Sequence, residues 1–211
     1  MTPRELFHEK RGNTVVKHLQ ERGFEACYCK TGEEAKKKAL EWMEEGASVA
    51  WGGSMTIQEI GLTKAVREGN YRAIDREQAV TAEEKQKAAM DALSADYFLT
   101  SANGISEDGQ LVNVDGNGNR VAAIVFGPKH VIVVAGMNKV VKTAQDAMVR
   151  ARTVAAPFNQ QRFLKHTPCA TTGVCSDCKS SECICNQLLT TRNCRPAGRI
   201  QVILVGEELG Y

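Results

Sequence analysis

Four times in its first hundred residues the chain sets a threonine three positions ahead of a glutamate, and three of these pairs, Thr2/Glu5, Thr31/Glu34 and Thr81/Glu84, open a stretch that reads as a helix. At this spacing the hydroxyl and the carboxylate each satisfy an orphan backbone N–H at a helix start. Pro3 suits the first helical position. The pattern predicts helices to about Arg22, Gly46 and Ala95, the first two stopped by Gly23 and Gly46. Another helix, carrying Ile57, Ile60 and Val66, follows Gly52-Gly53-Ser54, and one more spans Lys142 to Thr153. Short apolar stretches alternate with these helices: Phe24 to Lys30, Ser48 to Trp51, Tyr71 to Ile74, Asp96 to Thr100, Val131 to Ala135 and Arg199 to Val205. The last is nearly continuous in apolar residues, which suits a strand covered on both faces. Strands separated by helices predict an α/β fold: a mainly parallel sheet of six or seven strands, helices on both faces and right-handed crossovers.

Composition bounds the rest. The chain of 211 residues suits one domain, 1–211. From about Ala155-Ala156-Pro157 to Pro196 it turns rich in Cys, Thr, Asn and Ser, and 157–196 reads as a cysteine-rich loop subdomain. A net charge of only +2, with acids and bases interspersed, argues against nucleic acid or an anionic membrane as partner. Lys36-Lys37-Lys38, the one basic run, reads as a solvated helix face. The polar start, Met-Thr-Pro-Arg-Glu, has no apolar signal core, and no apolar stretch reaches the roughly 18 residues of a membrane span. The expected location is the cytoplasm. Thiols stay reduced there, so eight cysteines call for metal binding, redox chemistry or burial rather than disulfides.

Two glycine-rich regions carry the ligand-binding expectation. In the first, Gly52-Gly53-Ser54-Met55-Thr56, a strand ends, two glycines turn the chain and hydroxyls open a helix. Such a turn favours a phosphate or carboxylate, although Thr56 and Glu59 also have capping-box spacing. It is neither a dinucleotide fingerprint nor a nucleotide-triphosphate loop. In the second region, Asn103-Gly104 and Asp115-Gly116-Asn117-Gly118-Asn119 bracket an alternating strand, Leu111 to Val114. Its plain reading is a β-hairpin with polar turns. Its functional reading adds Arg120, and Lys139 after the Val131 strand, as cations beside glycine-rich backbone at strand ends. The candidate ligand residues are Gly53, Ser54, Thr56, Glu59, Asn103, Gly116, Asn119, Arg120 and Lys139. The two regions are expected to converge on one cleft.

The strongest local signal is Cys169-x5-Cys175-x2-Cys178-x4-Cys183-x-Cys185, five cysteines in 17 residues. Cys175-x2-Cys178 lets two thiolates reach one metal across a turn. Thiolates suit an iron–sulfur cluster or zinc, and the spacing does not choose between them. A metal-free alternative is that they pack as small hydrophobes. Cys27 and Cys29 lie two apart on a strand and share one face, where burial explains them. Cys194 falls in a loop.

These motifs, with Asn103-Gly104-Ile105, Asp108-Gly109, Gly127-Pro128, Asn138-Lys139 and Ala156-Pro157-Phe158-Asn159, make the chain resemble the lactate-utilisation (LUD) domain family, lactate utilisation protein C type. The resemblance covers nearly the whole chain. It implies a fold similar to the ribose-5-phosphate isomerase, glucosamine-6-phosphate deaminase and CoA-transferase group. It also implies a link to oxidation of lactate to pyruvate alongside iron–sulfur partner subunits, and places Cys169, Cys175, Cys178 and Cys185 in the repeated metal-site pattern, with Cys183 as an extra. The isomerases of that fold group are similar in carrying an acidic turn for general-base work. Here the corresponding turn is Ala102-Asn103-Gly104, and an amide cannot take a proton as a carboxylate can. Glu59, Asp108 and Asp115 are the remaining candidate bases.

The expected function is an accessory redox subunit in lactate (2-hydroxy acid) oxidation. It would bind a small carboxylate or phosphate at the sheet edge and an iron–sulfur cluster, with zinc as alternative, at the cysteines. The rival readings are an isomerase or transferase acting on a phosphorylated sugar or acyl-CoA, and a non-catalytic ligand-binding or assembly module with structural zinc.

Overall fold

The computed structural model describes residues 1–163 and 165–211. It opens with α1 (Pro3–Glu21), β1 (Glu25–Cys29), α2 (Gly32–Glu41) and β2 (Ser48–Trp51). Next come α3 (Met55–Glu59), α4 (Leu62–Glu68), β3 (Arg72–Ile74), α5 (Ala82–Asp91) and β4 (Tyr97–Thr100). β5 (Gly104–Ser106), β6 (Leu111–Asp115), α6 (Asn119–Val125), β7 (His130–Gly136) and β8 (Val140–Val141) follow. α7 (Ala144–Arg150), α8 (Ala156–Gln160), α9 (Pro168–Thr172), β9 (Gln187–Thr191) and β10 (Ile200–Val205) complete it.

The threonine–glutamate pairs cap as expected. Thr2 Oγ1 accepts from Glu5 N at 3.2 Å while Glu5 accepts from Thr2 N at 2.7 Å, and Thr81 and Glu84 repeat the exchange. At α2 only half the box forms: Thr31 accepts from Glu34 N, but Glu34 reaches past it to Lys30 N at 2.8 Å. The helix expected after Ser54 is two. Gly61 turns left-handed at φ 72°, a conformation open to glycine, and separates α3 from α4.

The main sheet is six-stranded and wholly parallel, in the order β1-β10-β7-β4-β2-β3. The alternation of β10 shows why both faces are covered. Val202 and Leu204 join one core with Val15 and Leu19 of α1 and Ile124 of α6, while Ile203 and Val205 join another with Ala35 of α2, Ile57 and Val66. Each fully buried Val, Leu or Ile contributes roughly 1.5–3 kcal/mol, so these two layers dominate stability.

The sequence reading missed a second sheet, ordered β8-β5-β6-β9. Its hairpin, β5 with β6, turns at Asp108-Gly109, where Gly109 has φ 84°, and not at Asn103-Gly104. The Asp115–Asn119 turn closes no hairpin either; Gly118 at φ 86° opens α6. β9 comes from the cysteine-rich segment, so 157–196 is not all loop: it pairs antiparallel with β6 from Thr191↔Leu111 to Gln187↔Asp115. The composition break at Ala155-Ala156-Pro157 falls within helical chain, since a π turn over Ala151–Ala155 carries α7 into α8. Cys194 is buried, donating to Pro196 O and accepting from Ile200 N, both at 3.2 Å.

Candidate functional site

The C-terminal ends of β2, β4 and β7 lie side by side, because these strands are neighbours in the parallel sheet. Their continuations are Gly52-Gly53-Ser54, Ser101-Ala102-Asn103 and Met137-Asn138-Lys139. Together with the Val114–Arg120 turn they enclose a cleft of about 400 Å³. This is the position at which open parallel sheets bind ligands. Of the nine candidate ligand residues, Gly53, Ser54, Thr56, Asn103, Gly116, Asn119, Arg120 and Lys139 line this cleft, and the expected convergence is met.

Glu59 does not. It is exposed, and its carboxylate accepts from Gly210 N at 2.7 Å, tying down the C-terminal segment. The capping box expected between Thr56 and Glu59 is also absent, because Ser54 is the N-cap of α3. That leaves the Thr56 hydroxyl free to accept from Lys139.

Lys139 stands at the floor of the cleft and is only 2% exposed. It closes a short 3-10 turn, Met137–Lys139, that follows directly on β7. Its Nζ donates to Thr56 Oγ1 at 2.8 Å and to Ser101 Oγ at 3.0 Å. Among the described residues it belongs to no ion pair. Burial, then the positive charges of Arg150 and Arg120, bring the amine down from 10.5 to about 7, against a smaller opposing pull from Glu59. The tail seals this floor. Asn138 Oδ1 accepts from Leu209 N at 3.2 Å, and a Cβ on Gly210 would come within 2.6 Å of Thr56 Oγ1 and 3.2 Å of Lys139 Nζ.

Arg120, in the first turn of α6, forms one wall. Its guanidinium donates to Asn103 Oδ1 at 3.1 Å and to Val114 O, and its Nε lies 3.5 Å from Asp115 Oδ2. Asp115 Oδ1 in turn accepts from Asn117 N and Gly118 N at 3.1 Å, which shapes the glycine-rich turn. Gly52 lets this stem lie close: a Cβ there would sit 3.3 Å from Arg120 Cδ, tight enough that the arginine would have to shift. Asn103 Oδ1 also accepts from Val114 N at 2.9 Å, and its carbonyl accepts from Arg150 at 2.5 Å. Asn103 is thus a girder of the wall, and Asp115 is engaged as a turn-former. Asp108, another candidate base, pairs with Arg22 at 2.6 Å and does not line the cleft.

The cleft is lined by five cationic side chains, Arg76, Arg120, Lys139, Arg162 and Lys165, against two acidic ones, Glu77 and Asp115. Ser54 Oγ, 5% exposed, has no hydrogen-bond partner among the described residues. A buried, unpaired hydroxyl in a cation-rich cleft is a donor awaiting an acceptor. The sequence reading missed Ser101, Arg150, Arg162 and Lys165. Ser101 had a weak signal, a hydroxyl directly after a buried strand; the others become site residues only through tertiary approach.

The five clustered cysteines, Cys169, Cys175, Cys178, Cys183 and Cys185, line one small pocket of about 50 Å³. Burial, then the neighbouring Cys183, push the Cys185 thiol up to about 12. The pocket adjoins the cleft: Cys183 and Ala156 line both. The segment is held against the glycine-rich turn by Asn186, which donates to Gly116 O at 3.0 Å. No disulfide joins any of the eight cysteines. Among the described residues, no group of three or more His, Cys, Asp or Glu side chains is drawn together closely enough to hold a metal ion.

The family model for the LUD domain matches residues 13–205. The chain belongs to the LUD domain family. The crystal structure of a DUF162 family protein from Deinococcus radiodurans has the same fold, with a TM-score of 0.55 and 15% identity over 94% of this chain and 98% of that one. Ribose 5-phosphate isomerase A from Methanocaldococcus jannaschii overlaps in part, at a TM-score of 0.37 and 18% identity over 56% of each chain. No curated protein matches this LUD-domain chain. No helix among its described residues is long and apolar enough to cross a membrane.

Proposed function

We propose that this LUD-domain chain serves lactate utilisation as an accessory redox subunit, holding a small carboxylate or phosphate in the cleft. The observation that carries the reading is Lys139: a buried amine with no counterion among the described residues, facing a cleft in which cations outnumber acids. An incoming anion supplies the missing charge and an acceptor for Ser54 Oγ. The family supports the lactate context. Calorimetric titration with lactate, pyruvate and phosphate tests the cleft. One saturable site for these anions, and none for uncharged lactamide, is the expected outcome; equal binding of lactamide would defeat it.

The cysteine pocket is the proposed seat of an iron–sulfur cluster, with zinc as the alternative, and iron–sulfur partner subunits of a lactate oxidation complex are the proposed electron partners. What supports it is the kind of donor: Cys169, Cys175, Cys178 and Cys185 line one pocket, and a bound metal would have to draw their sulfurs closer together than they stand. A bound cluster would supply one-electron transfer next to the cleft. The chain's own part is to position it: Asn186 ties the segment to the cleft wall, and Cys183 lines the cleft as well as the pocket. Metal and sulfide analysis of anaerobically purified protein distinguishes cluster, zinc and neither. Cys175→Ser should lower bound metal and remove hydrogen-exchange protection between Thr167 and Asn186 alone, leaving the six-stranded sheet protected. Unchanged metal content in that variant would contradict the assignment.

The isomerase or transferase reading needs an unengaged carboxylate in the cleft. Asp115 is held by its turn and Arg120, and Glu77 by Arg67 at 3.0 Å and Gln58 at 2.6 Å. The accessory-subunit reading is therefore preferred.

A further inference from the structure

A lysine buried for structural reasons is normally neutralised by a carboxylate, because an unpaired ammonium is costly to desolvate. Lys139 has two hydroxyls instead, from Thr56 and Ser101, and among its charged neighbours Arg150 and Arg120, of its own sign, outweigh Glu59. No packing need explains this, since a methionine would fill the same space without a desolvated charge. What the arrangement does achieve is an amine that loses its proton readily, which is how nucleophilic lysines are made. Its two hydrogen-bonding hydroxyls fix Nζ, and the neutral amine has a lone pair to present to the cleft.

We propose that Lys139 is a nucleophile that condenses with the carbonyl carbon of a small 2-oxo acid bound in the cleft. This rests on the reading of the cleft as a carboxylate site and names the substrate class. The acid's carboxylate would lie among the guanidinium groups of the cleft, which can grip it in bidentate fashion. The Lys139 nitrogen adds to the adjacent carbonyl carbon, and a proton passes from nitrogen to oxygen to give a carbinolamine. The carbon–oxygen bond then breaks, the oxygen leaves as water with a second proton, and an imine remains. No oxidant or reductant is consumed. Ser54 Oγ, unpartnered and on the same cleft, is placed to donate to the carbonyl oxygen as negative charge develops on it.

The test is reductive trapping on the full chain, with pyruvate as probe and cyanoborohydride as reductant, read by intact mass and peptide mapping. The expected product is one adduct per chain, heavier by the mass of pyruvic acid less one oxygen atom, confined to the peptide containing Lys139. With pyruvate kept saturating at each pH, its rate should rise through about pH 7 and then level off, as the amine facing Arg120, Arg150 and Glu59 loses its proton. Lys139→Met should give no adduct at this peptide, while Lys139→Arg, which keeps the charge, should bind pyruvate without being labelled. If either variant fails to fold, the wild type suffices: lactate, which has no carbonyl, should slow labelling without being incorporated. Calorimetric binding of pyruvate without an adduct would overturn the nucleophile and leave the carboxylate site standing. Labelling spread evenly over exposed lysines such as Lys64 and Lys142 would also overturn it. Neither binding nor labelling would overturn both readings.

Discussion

Lys139→Met is expected to weaken lactate binding ten- to a hundredfold and, in the ligand-free protein, to raise the melting temperature. The loss of affinity follows from removing a charged hydrogen bond to the anion, worth about 1.5–3 kcal/mol. The gain in stability follows from the pKa. The folded protein holds this amine at about 7 where the ordinary value is 10.5, so between those values the unfolded chain binds more protons than the folded one. Stability then rises with pH across that window. The penalty of the buried charge is fully present below about pH 7 and is gone by about pH 10.5. A methionine carries no such penalty. Its advantage should therefore be greatest below pH 7, on the order of 2 kcal/mol after the two lost hydroxyl contacts are set against it. Melting curves of both proteins across that range check the prediction. A variant destabilised equally at every pH would mean that the lysine is a packing residue.

Arg120→Ala should be harmful in both respects. This side chain joins three parts of the wall: the Asn103 amide, the Val114 carbonyl and the Asp115 carboxylate. Truncation leaves the Val114 carbonyl without this donor and Asp115 without its charge partner, at a cost of roughly 1–3 kcal/mol for an unsatisfied buried group. It also opens space against Gly52, where the Arg120 stem packs. Affinity for lactate should fall at least tenfold, partly by lost charge and partly because Asn103 and the glycine-rich turn are no longer fixed. Arg120→Lys keeps the charge but not the fork, and should recover only part of the loss. Full affinity in Arg120→Ala would remove Arg120 from the site.

Much of this was legible in the chain, for identifiable reasons. The main sheet follows from apolar runs such as Ile200–Val205 and from capping pairs such as Thr81/Glu84, because burial on two faces and helix initiation both act over a few residues. The cleft was legible because glycine-rich turns follow strand ends in a parallel sheet. The second sheet was not: β5 has three residues, β8 has two, and β9 is exposed along much of its length, so none carries a clear apolar period. Glu59 shows the limit of spacing arguments. Its separation from Thr56 fits a capping box, but Lys139 claims Thr56 and Gly210 claims Glu59, and neither contact is local. Sequence position marks Lys139 as a cation near the site; that it is a buried amine depends on Ser101, Arg150 and the tail, which approach only in the folded chain.

The pH dependence of lactate affinity in the wild-type protein tests the central claim most directly. Lactate does not titrate in this range, so any change belongs to the protein. Lys139 as the ligand's cation predicts that the dissociation constant rises ten- to a hundredfold between about pH 6 and about pH 9, as the amine loses the proton that binds the anion. An affinity that stays constant across that interval, or no lactate binding at all, would contradict the account.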